Sequence, residues 1–99
     1  MKRLRLTPEA ELDLDEAHLW YHRQAPRLAA EFLAAVNASL VSIQHQPEAY
    51  ALVDPTTRRA LLRRFPYAVF YEIRPAEIVV YGVFHSARDP RAWQRRRDG

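Results

Sequence analysis

Two hydrophobic periods divide the chain into a helical first half and a strand-rich second half. Leucine alternates with basic residues over residues 2–6, a period of two that predicts a short strand. Thr7 and Pro8 then predict a helix start, because threonine caps a helix N-terminus well and proline suits the first helical position. This first helix is expected to run to about Gln24.

The second helix is predicted to begin after the break at Ala25 and Pro26. Six apolar side chains then recur at the three- and four-residue spacing of one helix face: Ala29, Phe32, Leu33, Val36, Leu40 and Ile43. Pro47 is expected to end this helix, because proline removes a helical hydrogen bond. So short a break between two helices predicts an antiparallel helical hairpin.

From Arg59 the period changes to two, and three runs rich in valine, isoleucine, tyrosine and phenylalanine predict strands. These runs are Arg59–Phe65, Ala68–Arg74 and Ile78–His85. The connections between them are short and contain proline, so the strands are expected to be antiparallel. The third run is apolar on both faces, which predicts a central strand that is covered on each side.

The predicted fold is α+β with the order β-α-α-β-β-β, a small antiparallel sheet with the helical hairpin packed on one face. The chain has 99 residues, enough for one domain, so residues 1–99 are assigned to a single domain. After the third strand we expect a turn, or one helical turn capped by Asp89, and residues 94–99 are expected to form a frayed basic tail. The sheet face opposite the hairpin is then left bare for function.

Charge is distributed unevenly along the chain. Residues 1–50 carry a net charge of −2, whereas residues 51–99 carry +5 with ten arginines, for a total of +3. Arginine binds phosphate and carboxylate groups bidentately, so the second half is expected to meet an acidic or anionic partner. The sequence contains no cysteine, no signal-peptide pattern and no apolar run of membrane-spanning length, and we therefore expect a cytoplasmic protein.

Few residues of the first half suggest chemistry. His18 and His22 have the i, i+4 spacing of a zinc-binding pair, but no third ligand is evident, so exposed helix histidines are the preferred interpretation. Asp13 and its acidic neighbours are interpreted as a solvated helix face. Gly82 and Gly99 are the only glycines, which excludes a glycine-rich phosphate loop, and no cofactor or metal is expected.

The predicted sheet carries the candidate binding residues. Arginine is interleaved there with tyrosine and histidine, a combination that can hold phosphates and stack bases. The set comprises Arg59, Arg63, Arg64, Tyr67, Tyr71, Tyr81, His85 and Arg88. The alternative is structural: packed tyrosines, a histidine bonded to backbone, and solvated arginines. The binding hypothesis requires Arg63, Arg64 and Arg88 to gather on the bare sheet face.

The segments Phe65–Ile73 and Ile78–Pro90, followed by Trp93, resemble the C-terminal half of the RelE/ParE toxin superfamily. The order of elements is similar over essentially the whole chain. The resemblance implies the toxin component of a bacterial type II toxin–antitoxin system, of the kind associated with plasmid stabilization and growth inhibition. It also implies a cognate antitoxin protein that wraps and neutralises the toxin, with operator DNA bound only through the antitoxin and no membrane partner.

Two activities occur in this superfamily. RelE-type members cut mRNA in the ribosome, whereas ParE-type members block DNA gyrase and are not nucleases. Ala68 stands where RelE-type enzymes carry an arginine, and Trp93 stands near the place of their C-terminal tyrosine, which favours a ParE-like toxin that is not an enzyme. The alternative is a ribosome-dependent, metal-independent endoribonuclease that uses His85, Arg88 and Arg64. In either case the residues expected to bind the target or the antitoxin are Arg59, Arg63, Arg64, Tyr67, Tyr71, Tyr81, Arg88 and Trp93.

Overall fold

The computed structural model describes residues 1–98, and its elements follow the predicted order with a short extra strand and a third helix. The helices are α1 (Pro8–Gln24), α2 (Pro26–His45) and α3 (Arg91–Asp98), and a 3-10 turn follows α2 at Pro47–Ala49. The strands are β1 (Arg3–Leu6), β2 (Ala51–Leu52), β3 (Thr57–Leu61), β4 (Tyr67–Ile73) and β5 (Glu77–His85). Within residues 1–98, no helix combines the length and the apolar character that crossing a membrane requires.

Local capping sets the ends of the helical hairpin. The Thr7 hydroxyl accepts a hydrogen bond from the Ala10 N–H at 3.1 Å, and Pro8 occupies the first turn of α1. Ala25 is extended, with a φ of −167°, so α1 ends there and Pro26 begins α2. The predicted hairpin is therefore confirmed, with both helices close to their expected bounds.

The five strands lie in the order β1-β5-β4-β3-β2. β3, β4 and β5 are antiparallel neighbours, as predicted. β1 instead pairs in parallel with β5, with Leu4 opposite Ile78, so the sheet is mixed rather than purely antiparallel. The difference arises because the hydrophobic period places a strand in the sequence without specifying its partner or its direction.

β3 ends earlier than predicted, at Leu61 instead of Phe65, and a loop leads to β4. Within this loop Arg64 has a φ of 69°, the left-handed conformation that a continuing strand does not allow. Arg63 and Arg64 therefore lie in a loop and not in a strand, which corrects the sequence prediction.

The helical hairpin packs on one face of the sheet and forms the larger core. The buried side chains come from both helices and from alternating positions of β4 and β5: Tyr21, Phe32, Val36, Ile43, Val69, Tyr71, Ile78 and Val80. Burial of this apolar surface is the main favourable contribution to folding.

The opposite face of the sheet is not bare, because α3 packs on it. Ala92 and Trp93 of α3 form a second buried cluster with four side chains of β4 and β5: Ala68, Phe70, Tyr81 and Phe84. The prediction that β5 is covered on both faces is thus confirmed. The predicted frayed tail is wrong for residues 94–98, which continue α3, and Gly99 lies outside the described residues. The arginine-rich sequence concealed this helix, because only two of its residues are buried and apolar.

A bulge interrupts β5 beneath α3. The pairing with β4 skips Tyr81, which is therefore the extra residue of the bulge. Close to it, the Val83 N–H donates a hydrogen bond to Oδ2 of Asp13 in α1 at 3.0 Å. The bulge thus brings a carboxylate of the helical hairpin into contact with the backbone of the sheet.

Candidate binding groove

A groove lies between α3, the end of β5 and the exposed side of β3. Its lining residues are Arg59, Leu61, Ala68, Phe70, Phe84, His85, Ser86, Arg88, Asp89, Pro90 and Trp93. We call it the basic groove. Of the binding residues predicted from sequence, it brings together Arg59, His85, Arg88 and Trp93.

Aromatic rings form the floor of the basic groove. The rings of Phe70 and Trp93 are stacked, with centroids 5.6 Å apart and planes inclined by 16°. The ring centroids of Phe84 and Phe70 lie 5.6 Å apart, and Ala68 is buried in the same cluster. The floor therefore offers apolar and stacking surface, but it presents no side chain that ionises.

Two arginines supply the positive charge of the basic groove. Arg59 projects from β3, and Arg88 follows β5 with its Cζ atom 4.8 Å from the centroid of the Phe84 ring. Among residues 1–98, neither arginine forms an ion pair with a carboxylate. Both guanidinium groups are therefore available to a carboxylate or phosphate of a partner.

Asp89 is the carboxylate that lines the basic groove, and Arg91 neutralises it. The Arg91 guanidinium donates to Asp89 at 2.8 Å, and the Arg91 backbone N–H donates to the same carboxylate at 2.9 Å. These hydrogen bonds, together with the nearby charges of Arg91 and Arg95, lower the pKa of Asp89 to about 2. Asp89 therefore remains ionised and paired at neutral pH, so it does not compete for Arg88.

The His85 imidazole lies exposed at the end of β5. Its Nδ1 atom accepts a hydrogen bond from the Ala87 N–H at 3.0 Å. The centroids of the His85 and Tyr67 rings lie 5.2 Å apart in an edge-to-face arrangement. In the neutral ring the proton is then on Nε2, which leaves Nε2–H as a donor while Nδ1 already accepts a hydrogen bond. His85 can donate a hydrogen bond to an anion, but it has no free basic nitrogen for abstracting a proton.

Arg63 and Arg64 do not line the basic groove. Arg64 forms an ion pair with Glu31 of α2 at 3.3 Å, and its guanidinium lies 5.8 Å from the ring centroid of Phe65, a member of the hairpin-side core. The expected gathering of Arg63, Arg64 and Arg88 on one face is therefore wrong. β3 ends at Leu61, so the strand alternation on which that expectation depended does not reach Arg63 or Arg64, and Arg64 is in the left-handed conformation.

The predicted tyrosines are mainly packing residues. Tyr71 is fully buried and its hydroxyl donates to the Pro47 carbonyl at 2.5 Å, while the Tyr81 hydroxyl bonds to that of Thr57 beneath α3. Burial raises the pKa of Tyr71 and of Tyr81 to about 12. Tyr67 is half-buried against the helical hairpin, and burial also raises its pKa.

Asp13 and Arg96 are the residues that sequence reasoning missed. Asp13 is not solvated, because its carboxylate pairs with the Arg96 guanidinium of α3 at 3.0 Å. The available signal was position, since Asp13 lies three residues after Ala10 and four before Ala17, both buried. A charge on the buried face of an amphipathic helix indicates a buried partner.

His18 and His22 lie on α1 with ring centroids 6.2 Å apart. Within residues 1–98, no group of three histidine, cysteine, aspartate or glutamate side chains is placed to hold a metal ion. The basic groove combines unpaired guanidinium groups with an aromatic floor, a combination that suits binding of an acidic partner.

The family of ParE toxins from type II toxin–antitoxin systems (parDE) matches residues 4–90, most of the chain. The chain belongs to the ParE toxin family. The resemblance to the RelE/ParE superfamily and to its ParE-like branch is thus confirmed, and this ParE-family protein is the toxin component of a type II system. The match includes Arg59, His85 and Arg88, and it stops before α3.

A solved structure described as a chromosomal ParDE toxin–antitoxin system from P. aeruginosa is similar to this ParE-family chain. The TM-score is 0.76 and the sequence identity is 21%, and the match covers 86% of this chain and 96% of that chain. At this identity the likeness establishes the shared fold. None of the curated proteins matches the chain in sequence.

Proposed function

We propose that this ParE-family toxin arrests growth in the cytoplasm by binding DNA gyrase through the basic groove, and that its antitoxin neutralises it by covering the same groove. The observation that carries the proposal is the content of the groove. Two unpaired guanidinium groups stand over an aromatic floor, and no group placed there is suited to proton transfer. Such a groove favours binding over chemistry.

The buried Ala68 argues against cleavage of RNA. RNA cleavage by the ribose 2′-hydroxyl requires both a proton acceptor and stabilisation of developing negative charge. Ala68 contributes only a methyl group to the floor, and the Trp93 indole can donate a hydrogen bond but can neither give up nor accept a proton as a phenol does. His85 keeps its Nδ1 occupied by a backbone N–H. Arg59 and Arg88 can stabilise negative charge in the groove, but no side chain beside them is suited to transferring a proton.

The basic groove suits an acidic segment that also carries an apolar or aromatic side chain. Carboxylates of the partner pair with Arg59 and Arg88, and its apolar side chain rests on Trp93 and Phe70. Arg63, Arg64 and Tyr67 belong to the periphery of the proposed surface. They are proposed to contact a partner that extends beyond the groove, across the loop between β3 and β4.

A supercoiling assay tests the proposed target. Purified toxin is expected to inhibit gyrase, and the double variant Arg59→Ala/Arg88→Ala is expected to need about tenfold more protein for the same inhibition. Arg23→Ala, which removes an exposed arginine from the end of α1, is the matched control and should inhibit like the wild type. Full gyrase activity in an excess of wild-type toxin would contradict the gyrase proposal.

The same protein added to a translating extract tests the alternative of a RelE-type ribonuclease, of whose predicted catalytic residues His85 and Arg88 line the basic groove. We expect transcripts to stay intact while induction of the toxin in cells stops growth. Cleavage that depends on translating ribosomes would instead support the RelE-type activity.

Co-expression of the antitoxin is expected to restore growth, and unchanged arrest would contradict neutralisation through the groove.

A further inference from the structure

Tertiary contacts must hold α3 in place. The helix has only eight residues, and only Ala92 and Trp93 are buried. Helices this short are unstable alone in water, because few backbone hydrogen bonds repay the cost of nucleation. The side chains that anchor α3 therefore decide whether Trp93 stays on the floor of the basic groove.

Arg96 connects α3 to α1 across 83 positions of the sequence. Its two terminal nitrogens donate to the two oxygens of Asp13 at 3.0 and 3.2 Å, in the bidentate arrangement of a guanidinium and a carboxylate. One of these nitrogens also donates to the Tyr81 carbonyl, at the bulge, at 2.9 Å. The two charged side chains are only 20% and 10% exposed. Removing either partner would leave the other charge largely desolvated and unpaired, which is costly.

The Asp13 carboxylate joins three elements. It lies on α1, it accepts the Val83 N–H of β5, and it binds Arg96 of α3. The β5 bulge supplies two of the polar groups around it, the Val83 N–H and the Tyr81 carbonyl. The Val83 N–H donates to Asp13, whereas the Tyr81 carbonyl accepts from Arg96. An apolar side chain at position 13 would therefore lose both the hydrogen bond with the Val83 N–H and the pairing with Arg96.

Phe84 connects the Asp13–Arg96 pair to the basic groove, because its ring lines the groove and also contacts Arg96. The Cζ atoms of Arg96 and of Arg88 each lie 4.8 Å from the centroid of this ring. Trp93 lies three residues before Arg96, so both side chains project from one face of α3. The position of Arg96 therefore fixes the ring beneath Arg88 and the indole of the floor together.

We propose that Asp13 is a positioning residue that, through Arg96, holds α3 on the sheet and so builds the α3 wall of the basic groove. The role of that wall in binding rests on the proposed function, whereas the docking of α3 does not. α3 is a locally detachable element, and the Asp13–Arg96 pair sets how much of the time it is docked.

A second pair, Arg97 with Asp54, also connects α3 to the rest of the fold. Desolvation favours the neutral form of Asp54, but hydrogen bonds from Thr56, Thr57 and Arg97 outweigh it and lower the pKa of Asp54. The Asp54 carboxylate thus keeps two backbone N–H donors when Arg97 departs. The ion pair of Arg97 with Asp54 is therefore the weaker anchor of α3. Because this pair remains when Asp13 is replaced, we expect α3 to loosen without unfolding of the whole protein.

Hydrogen exchange and Trp93 fluorescence test the proposal. In a Trp20→Phe background, which leaves Trp93 as the only tryptophan, Asp13→Asn and Arg96→Gln are expected to raise acrylamide quenching severalfold and to speed exchange over residues 91–98. Exchange in β4 and β5 should stay slow. Asp15→Asn and Arg95→Gln, which remove exposed charges from the same two helices, are the matched controls and should change neither.

Binding of poly-L-glutamate separates this proposal from the function of the groove. Asp13→Asn should weaken binding of this acidic probe as Arg88→Ala does, with the controls unchanged. If the wild type does not bind the probe, the groove proposal fails, and the exchange result still decides the docking. Protected Trp93 and slow exchange in Asp13→Asn would overturn the positioning role. Global unfolding of both Asp13→Asn and Arg96→Gln would overturn it too, since the pair would then belong to the core.

Discussion

A Cβ atom built on Gly82 would lie 2.7 Å from Cε2 and 2.8 Å from Cζ of the Phe84 ring. These separations are far below van der Waals contact, and the ring is held by Phe70 and two guanidinium groups. We expect Gly82→Ala to lower the free energy of unfolding by about 1–3 kcal/mol, the usual cost of overpacking. Denaturant titration followed by circular dichroism measures the change.

A double-mutant cycle with Phe84→Leu is the control for this prediction. The smaller side chain removes the ring atoms that the new methyl group would meet. In this background Gly82→Ala should cost clearly less than in the wild type. Equal costs in both backgrounds would mean that the clash with Phe84 is not the cause.

Two buried phenols predict how stability changes at alkaline pH. Burial raises the pKa of Tyr71 and Tyr81 from 10.0 to about 12. Between these values the unfolded chain loses phenolic protons that the folded chain retains, so the free energy of unfolding falls as the pH rises from 10 towards 12. Below pH 10 these groups give no pH dependence.

Spectrophotometric titration checks this assignment. Tyr71→Phe and Tyr81→Phe should each remove one late-titrating phenol. An unchanged late phase in both buried variants would refute the assignment.

Individual side chains were predictable only where the sequence pattern fixes their surroundings. Ala68 was recognised as a missing arginine, and it lies in the aromatic floor. The acidic residues next to Asp13 in the sequence predict a solvated face, which is wrong because its neighbours at helical spacing, Ala10 and Ala17, are buried. The pairing with Arg96 links residues at opposite ends of the described chain, which no local pattern reveals.

The loop between β3 and β4 carries a testable strain at the scale of one element. Arg64 is the non-glycine residue with positive φ within residues 1–98, and an L side chain in that region costs roughly 1–2 kcal/mol. Arg64→Val should lower the free energy of unfolding by about 1–2 kcal/mol, because a β-branched side chain fits this region poorly, whereas Arg64→Gly should change it by less than about 1 kcal/mol. Thermal and denaturant unfolding measure both.

The neighbouring residue provides the matched comparison. Arg63 has no positive φ, so Arg63→Val should be no more destabilising than Arg63→Gly. The ion pair of Arg64 with Glu31 is exposed and contributes little to either result. If the valine and glycine variants show the same order of unfolding free energy at position 63 as at position 64, the positive φ of Arg64 is not the cause.

Elements with strong local signals were predicted, and elements defined by long-range contacts were not. The Thr7 cap and the prolines that begin the two helices, Pro8 and Pro26, predict the helical hairpin. α3 lacks an apolar stripe, and its stability comes from contacts with β5 and α1. The parallel partner of β1 was likewise outside the reach of a period-two pattern.

At the scale of the whole molecule, the asymmetric charge predicts how association depends on salt. The basic second half attracts an acidic partner over a distance of about one Debye length, so the association rate constant should fall as salt rises from about 50 to 300 mM. Stopped-flow mixing with the antitoxin measures it. Arg59→Ala/Arg88→Ala should flatten the salt dependence, and Arg23→Ala should leave it near that of the wild type. A rate that does not respond to salt would exclude electrostatic steering.

The register of β1 against β5 has a bearing on how the toxin is made. Arg3 emerges from the ribosome early, but its partner in the sheet is Glu77, so β1 stays unpaired until β5 has been synthesised. The basic groove takes residues from β3, β5 and α3, and it too must await these later segments. An unfinished chain therefore lacks the assembled basic groove through which we propose that the toxin binds its target.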